Sequence, residues 1–268
     1  MKIGWIDFLN TLPFDFSNKK IDKRIEIVKG VPSQINQLLE KEKIDIGFIS
    51  SAEYIENFEK YLILPDLSIS SYKNVQSVGI FTNKSLEEIE TIYLSKASKT
   101  SRLLTQIIFK EFLNKKIEYK ELENYEKIEE KSVLLIGDNA IKFKNKFKYV
   151  YDLSSIWFEN TGLPFVFALW SVNKSYFVRN KEKVLDFQKL LSETKEEFFK
   201  DIQNRIKDIN SKIDKDYAIK YLKNLDYSLE NEHLQSLNHF SKLLHKHKLI
   251  EKLPEFNFIE VKDEVKNK

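Results

Sequence analysis

The strongest constraint on the fold of this chain is a recurring order of apolar strand, helix and second apolar strand. Apolar runs over 24–30 and 45–51 flank a segment with leucine and isoleucine at helical spacing. The same order recurs over 91–95, 102–114 and 132–138. Because parallel strands need a long crossover, usually a helix, each set predicts part of a parallel sheet. We therefore expect an α/β protein with two sheets.

The remaining segments predict how these two sheets are connected. We expect strands over 2–8, 62–71 and 75–82 in the first unit, and the charge-rich stretch 119–132 to form a solvated helix or loop. The apolar run 163–172 carries the chain back to the first unit.

After that run, 180–250 reads as helices with leucine and phenylalanine at 3.6-residue spacing. Two crossings with a returning helical tail are typical of a two-lobed, type II periplasmic-binding-protein-like fold with a ligand cleft between the lobes. We place lobe 1 at 1–82 plus 173–268 and lobe 2 at 83–172.

Composition limits the class of protein and its partners. The 268 residues are 42% hydrophobic and 32% charged, which is typical of a globular protein. The net charge of +3 is spread along the chain without a basic stripe, so we expect no nucleic-acid partner. There is no cysteine, which excludes disulfides and thiolate chemistry. The start MKIGWIDFLNTLPF lacks a secretory pattern and no window is apolar enough for a membrane span, so we expect a soluble cytoplasmic protein without a membrane partner.

The cleft is expected beyond the carboxyl ends of the strands, in the loops after residues 8, 49, 95 and 136. Ser50 and Ser51 end one apolar strand just before a predicted helix, where hydroxyls and free backbone N–H groups can bind a carboxylate. An ordinary helix N-cap explains one of these serines equally well.

The second lobe carries a similar group of hydroxyls. Ser98, Thr100 and Ser101 precede a helix that we expect to start near Arg102, an arginine that we expect to face solvent. Two opposed hydroxyl groups can hold a dicarboxylate between the lobes without an arginine.

Four further residues follow strands at the predicted cleft edge. Asn10 and Thr11 offer an amide and a hydroxyl to a ligand, or form only a turn before a proline. Gly137 allows close approach of the backbone to a ligand, and Asp138 is either a general acid or base or a turn-forming aspartate.

Other chemistries find no support in the sequence. The four histidines, His233, His239, His245 and His247, all lie in the helical tail without an acid at ligand spacing, so we expect no metal. No glycine-rich phosphate loop, dinucleotide motif or nucleophile elbow is present, and we expect no cofactor.

Several motifs occur together in one order: FLNTLPF, IDIGFISSAEY, ILPDLSIS, VQSVGIF, SKTSRLL, LLIGDNAI, YDLSSIW and TGLPFVFALW. In this respect the chain resembles the MqnA/MqnD family of menaquinone biosynthesis over about residues 1–172, and in particular its chorismate dehydratase branch. Phe8 and Lys43 are small departures from the family pattern.

The resemblance implies a hydro-lyase that converts chorismate to 3-[(1-carboxyvinyl)oxy]benzoate and water in the futalosine pathway, without a metal. By motif match it places substrate-contacting roles on Asn10 and on Ser77 of VQSV, and hydroxyl cradles on Ser50, Ser51, Thr100 and Ser101. The family's 1,4-dihydroxy-6-naphthoate synthases have a catalytic histidine after the strand LLIG, where this chain has Asp138 and Asn139. That alternative is therefore less favoured.

Several questions remain open from the sequence. The base that removes the ring proton is either the enolpyruvyl carboxylate of the substrate or Asp138. A non-catalytic small-anion binding protein and a ligand-sensing regulatory domain share the expected fold. The sequence carries no signal for the oligomeric state.

Overall fold

The computed structural model describes residues 1–17, 19, 25–207 and 214–260. Within them, ten strands form two five-stranded sheets. The strands are β1 (Lys2–Trp5), β2 (Glu26–Lys29), β3 (Ile46–Ser50), β4 (Tyr61–Ser71), β5 (Val78–Thr82), β6 (Thr91–Leu94), β7 (Glu118–Glu121), β8 (Val133–Ile136), β9 (Tyr149–Asp152) and β10 (Phe165–Asn173). Arg24, the first residue of the predicted second strand, lies outside the described residues.

The two sheets have the same arrangement of directions. The first sheet has the order β2-β1-β3-β10-β4, and the second has the order β7-β6-β8-β5-β9. In each, three parallel strands are followed by one strand antiparallel to both its neighbours, β10 in the first sheet and β5 in the second. Each antiparallel strand adjoins a connection between the sheets, so the chain passes from one sheet to the other through β5 and returns through β10.

The two connections between the sheets lie earlier in the chain than the lobe boundaries expected from the sequence. The first connection runs between Ser71 and Val78, and the second between Asp152 and Phe165, rather than at 82 and 172. A continuous apolar strand has the same pattern in either sheet, so its hydrogen-bonding partners cannot be read from the sequence. The division into lobes remains a prediction.

Helices cover both sheets and form the tail. They are α1 (Pro32–Glu40), α2 (Ser51–Asn57), α3 (Lys99–Ile107), α4 (Gly137–Phe143), α5 (Leu153–Thr161), α6 (Lys174–Arg179), α7 (Lys181–Lys200), α8 (Ile202–Lys207), α9 (Lys215–Asn224) and α10 (Asn231–Lys246). None of the helices in the described ranges is long and apolar enough to cross a membrane. The expected helical tail lies partly outside the description, at residues 208–213.

Two predicted elements differ in the structure. Helix α3 starts at Lys99, three residues before Arg102, because the hydroxyl of Ser98 caps it by accepting from the Ser101 N–H. The sequence predicts helix or loop over 119–132, but EYKE, which begins one residue before this stretch, forms strand β7. Among the described residues this edge strand pairs with β6 alone and is mostly exposed, so it lacks the apolar signature of a buried strand.

Aromatic side chains form the floor beneath the carboxyl ends of the first sheet. The ring centroid of Trp170 on β10 lies 5.4 Å from that of Phe48 on β3 and 6.0 Å from that of Phe14. All three side chains are buried. Edge-to-face and tilted contacts of this kind fix ring positions, so the loops that follow β1 and β3 rest on a rigid base.

Candidate active site

A cavity of about 620 Å³, counting its open mouth, lies between the two sheets at the carboxyl ends of their strands. Its wall comprises Ile6, Phe8, Asn10, Thr11, Pro32, Phe48, Ser50, Ile69, Val75, Ser77, Val78, Ser98, Ser101, Ile136, Gly137, Phe167 and Ala168. Within the described part of the chain, the wall contains no charged side chain.

The structure brings together most of the residues that the sequence singled out. The predicted site residues on the wall are Asn10, Thr11, Ser50, Ser77, Ser98, Ser101 and Gly137. They come from the loops after β1, β3, β6 and β8 and from the connection into β5. The edge at which the strands end therefore does form the cavity.

Ser50 is held so that its hydroxyl hydrogen remains available. Its Oγ accepts from the Asn36 side-chain amide at 3.0 Å and from the Glu53 N–H at 3.3 Å. The Ser50 N–H donates back to Asn36 Oδ1 at 3.2 Å. Because these contacts use both acceptor positions of the hydroxyl, its hydrogen is free to donate to a group in the cavity.

Ser98 and Ser101 form a similar donor group on the part of the wall that adjoins α3. Their hydroxyl oxygens lie 2.9 Å apart, and Ser98 Oγ accepts from the Ser101 N–H at 3.2 Å. One hydroxyl donates to the other, so the pair retains one hydroxyl hydrogen for a ligand. With Ser50, the wall can therefore present two donors to an anion.

Thr11 and Asn10 follow β1 in a turn of 3-10 helix, Leu9–Phe14. The Thr11 hydroxyl donates to the carbonyl oxygens of Ile6 and Phe8, both at 2.7 Å, so its hydrogen holds the turn instead of a ligand. The Asn10 Oδ1 is buried and has no hydrogen-bond partner in the described part of the chain. A buried acceptor of this kind needs a donor, which a bound hydroxyl group would supply.

Ser77 lies on the connection from the first sheet into β5, and its backbone is fixed on both sides. Its carbonyl accepts from the Gly137 N–H at 2.7 Å, and its N–H donates to the Val75 carbonyl at 2.7 Å. The preceding Gln76 has a left-handed backbone (φ +61°), and its N–H donates to the Asp152 carboxylate at 2.8 Å. The Ser77 hydroxyl lies 2.8 Å from the hydroxyl of the buried Tyr221.

Gly137 is required by the backbone at the start of α4. Its φ of +56° is costly for any residue with a Cβ. Its N–H makes the bond to Ser77, and a Cβ at this position would meet the ring of Phe8 at 3.4 Å. The glycine therefore joins the end of β8 to the connection that carries Ser77.

Two of the predicted hydroxyls are engaged elsewhere. Ser51 Oγ donates at 2.7 Å to the carbonyl of Val166 on β10, a strand of the first sheet. Thr100 Oγ1 accepts from the Ala52 N–H at 2.9 Å and so joins α3 to α2. The Ala52 N–H, one of the backbone donors predicted to face an anion, is thus bound by Thr100. Neither Ser51 nor Thr100 is on the cavity wall.

Asp138 is also absent from the cavity wall, and its side chain is exposed. Desolvation by the surrounding protein and the negative charge of Asp7 raise the pKa of its carboxyl. It remains near the site, because it directly follows the wall residue Gly137 in the chain. Arg102, expected to face solvent, is partly buried and pairs with Glu121 at 3.5 Å.

Sequence reasoning missed several residues that shape the cavity. Asn36 orients Ser50, the rings of Phe8, Phe48 and Phe167 form apolar wall, and Tyr221 reaches Ser77 from the tail. The run QINQLL marked Asn36 only as part of a helix, and no local pattern pointed to Tyr221. Among residues 1–17, 19, 25–207 and 214–260, no group of three or more histidines, cysteines or acids could hold a metal ion.

Known structures establish the fold. A protein of Archaeoglobus fulgidus superimposes with a TM-score of 0.73 at 17% identity, over 93% of this chain and 98% of its own. A Candida albicans protein described as exhibiting the generic periplasmic binding protein fold gives 0.69 at 10% identity, over 98% of both chains. The periplasmic aliphatic sulphonate binding protein of Escherichia coli gives 0.67 at 13% identity, over 96% and 95%. The two-lobed periplasmic-binding-protein fold is thereby confirmed.

Sequence relatives carry a narrower description. The chorismate dehydratase of Thermus thermophilus is 31% identical over 171 residues, which is 55% of this chain and 61% of that protein. The chorismate dehydratase of Campylobacter jejuni is 33% identical over 179 residues, or 64% of this chain and 67% of that protein. The alignment thus spans less than two thirds of the Thermus relative.

A family model described as menaquinone biosynthesis matches residues 1–246, which is most of the chain. The match extends beyond the motifs that suggested the resemblance and includes α9 and α10 of the helical tail. The chain belongs to this menaquinone biosynthesis family.

Proposed function

We propose that this protein is a chorismate dehydratase, a hydro-lyase that converts chorismate to 3-[(1-carboxyvinyl)oxy]benzoate and water. The observation that carries the proposal is the cavity between the sheets, whose wall includes Asn10, Ser77 and the donating serine hydroxyls of Ser50 and of the Ser98–Ser101 pair. Membership of the menaquinone biosynthesis family and similarity to proteins named chorismate dehydratase support the same reaction.

The wall has the donors that a dicarboxylate with a carbocyclic ring needs. The hydroxyl of Ser50 and one hydroxyl of the Ser98–Ser101 pair can each donate to a carboxylate. Each charge-assisted hydrogen bond contributes about 1.5 to 3 kcal/mol. The rings of Phe8 and Phe48 offer apolar surface to the substrate ring. Binding would then depend on neutral donors that face an ionised acceptor.

Dehydration of chorismate removes a ring proton and expels a neighbouring hydroxyl, and it leaves an aromatic ring. The site would hold the reacting geometry: Ser77 donates toward the reacting centre, and the unpartnered Asn10 Oδ1 accepts from a substrate hydroxyl. No acid, histidine or lysine of the described residues lines the cavity. This favours the enolpyruvyl carboxylate of the substrate as the base, with Asp138 as the alternative.

The wider setting belongs to the same proposal. The reaction would be a step of the futalosine route to menaquinone, and closure of the two lobes would exclude water from the cavity. The cytoplasmic location expected from the sequence remains a prediction.

The test is to incubate metal-stripped protein with chorismate and follow the product by mass and ultraviolet absorbance. A product lighter by one water with an aromatic spectrum would support the dehydratase. Unchanged chorismate that nevertheless stabilises the protein against heat would favour a binding protein. Unchanged chorismate without binding would redirect the search to the naphthoate synthase reaction of the same family.

A further inference from the structure

Tyr221 on helix α9 connects the tail to the candidate site. It is 144 positions from Ser77 in the sequence, but the two hydroxyls are 2.8 Å apart. The Tyr221 side chain is 2% exposed and is not part of the cavity wall. It therefore contacts a wall residue from behind.

The phenol of Tyr221 can act as a donor to Ser77. Burial raises the pKa of Tyr221. The raised pKa keeps the phenol neutral at physiological pH, so it has one hydrogen to donate. Tyr221 is thus within hydrogen-bond distance of one of the two polar groups on which the proposed chemistry depends.

The hydroxyls of Ser77 and Tyr221 could donate in either direction. Ser77 is on the cavity wall and Tyr221 is not, so a ligand can accept a hydrogen only from Ser77. With a ligand bound, the hydrogen of Tyr221 is then directed to Ser77 Oγ, and the hydrogen of Ser77 is left for the cavity.

We propose that Tyr221 is a positioning residue that orients Ser77. It turns Ser77 into a donor toward the substrate, while making no contact with the substrate itself. This role rests on the proposed dehydratase function. It gives the C-terminal tail a part in the reaction.

The experiment compares Tyr221→Phe with the control Tyr217→Phe. Tyr217 lies one turn earlier on α9 with its ring stacked on Tyr221 at 6.4 Å, and its buried hydroxyl has no partner in the described ranges. We expect Tyr221→Phe to lower kcat for chorismate about 10- to 100-fold with KM changed less than about threefold, because orientation matters most in the transition state. Tyr217→Phe should stay within about twofold of the wild type.

A second arm repeats Tyr221→Phe in a Ser77→Ala background. If Tyr221 acts through Ser77, the added substitution should change kcat less than about threefold there. An equal loss of kcat in both backgrounds, or a normal kcat for Tyr221→Phe alone, overturns the role.

If Tyr221→Phe does not fold, a fluorinated tyrosine at 221 keeps the ring and hydroxyl and makes the phenol a stronger donor. A severalfold change in kcat at an unchanged melting temperature then supports the role, and an unchanged kcat overturns it. Activity of the wild type and of Tyr217→Phe separates this outcome from failure of the proposed function. A wild-type protein without dehydratase activity refutes both.

Discussion

The hydrogen bond between Thr100 and the Ala52 N–H should set how readily the two halves of the molecule close. It joins α3, beside the second sheet, to α2, beside the first, at 2.9 Å, and both residues are fully buried. We expect the halves to separate when substrate enters. Thr100→Val keeps the shape of the side chain but removes the hydroxyl that accepts from the Ala52 N–H. The loss affects only the closed form, in which this hydrogen bond exists.

The magnitude follows from the cost of a buried donor without an acceptor, about 1 to 3 kcal/mol. In an open form water can reach the Ala52 N–H, so the cost falls on the closed form. The closed-to-open ratio should drop about 5- to 150-fold. Since substrate would bind the closed form, KM for chorismate should rise by up to that factor while kcat changes little.

Steady-state kinetics with Thr105→Val as the control measures this effect. Thr105 is also fully buried on α3, but its hydroxyl donates to the Ser101 carbonyl of the same helix at 2.8 Å, a bond that closure does not change. Thr105→Val should leave KM within about twofold of the wild type. An equal rise in KM for both variants, or no rise for Thr100→Val, would refute the reasoning.

Three further predictions concern the backbone, pH and the base. Gly137→Ala at φ +56° and the control Gly162→Ala at φ +71° should each lower the free energy of unfolding by about 1 to 2 kcal/mol in urea denaturation, but only Gly137→Ala should lower kcat. Despite desolvation, His233, whose Nε2 lies 3.5 Å from the carboxylate, and hydrogen bonds from the N–H and hydroxyl of Ser228 at 2.7 and 2.6 Å lower the pKa of Asp226 from 3.8 to about 2. Its contribution to stability is therefore present above pH 3.8 and lost as pH falls through 2. In the wild type, this loss should lower the free energy of unfolding by about 2 kcal/mol between pH 3.8 and 2, and Asp226→Asn should abolish that decrease. Denaturation at a series of pH values measures the difference. Asp138→Asn should keep kcat within a few-fold if the substrate carboxylate is the base, whereas a thousandfold loss in a folded variant would make Asp138 the base.

Part of the fold and of the candidate site could be predicted from the sequence, because local residue patterns and strand direction determine it. Apolar runs predicted β1, β3, β6 and β8. Because ligands bind beyond the carboxyl ends of strands, the sequence also predicted a shared site for Asn10, Ser50, Ser98 and Gly137, and all four line one cavity. Ser77 came only from the family resemblance, because a serine in an apolar strand has no distinguishing pattern.

Contacts between distant segments could not be predicted in this way. The sequence around Thr100 predicts that its hydroxyl binds an anion. That hydroxyl instead accepts from the N–H of Ala52, 48 positions away. Tyr221 reaches Ser77 only because the tail folds back onto the connection between the sheets. The edge strand β7 was missed because its exposed side chains follow no apolar alternation. For Thr100 and Tyr221 the deciding partner is remote in sequence.

The most direct test of the central claim, that chorismate is dehydrated in the cavity between the sheets, is a single-turnover measurement with protein in excess over chorismate. The wild type and Asn10→Ala are compared by the rate of appearance of the product that is lighter by one water. We predict conversion by the wild type and a loss of at least about 100-fold in Asn10→Ala at unchanged melting temperature. Equal rates in the two proteins would place the chemistry outside this cavity, and no product from either would contradict the proposed reaction.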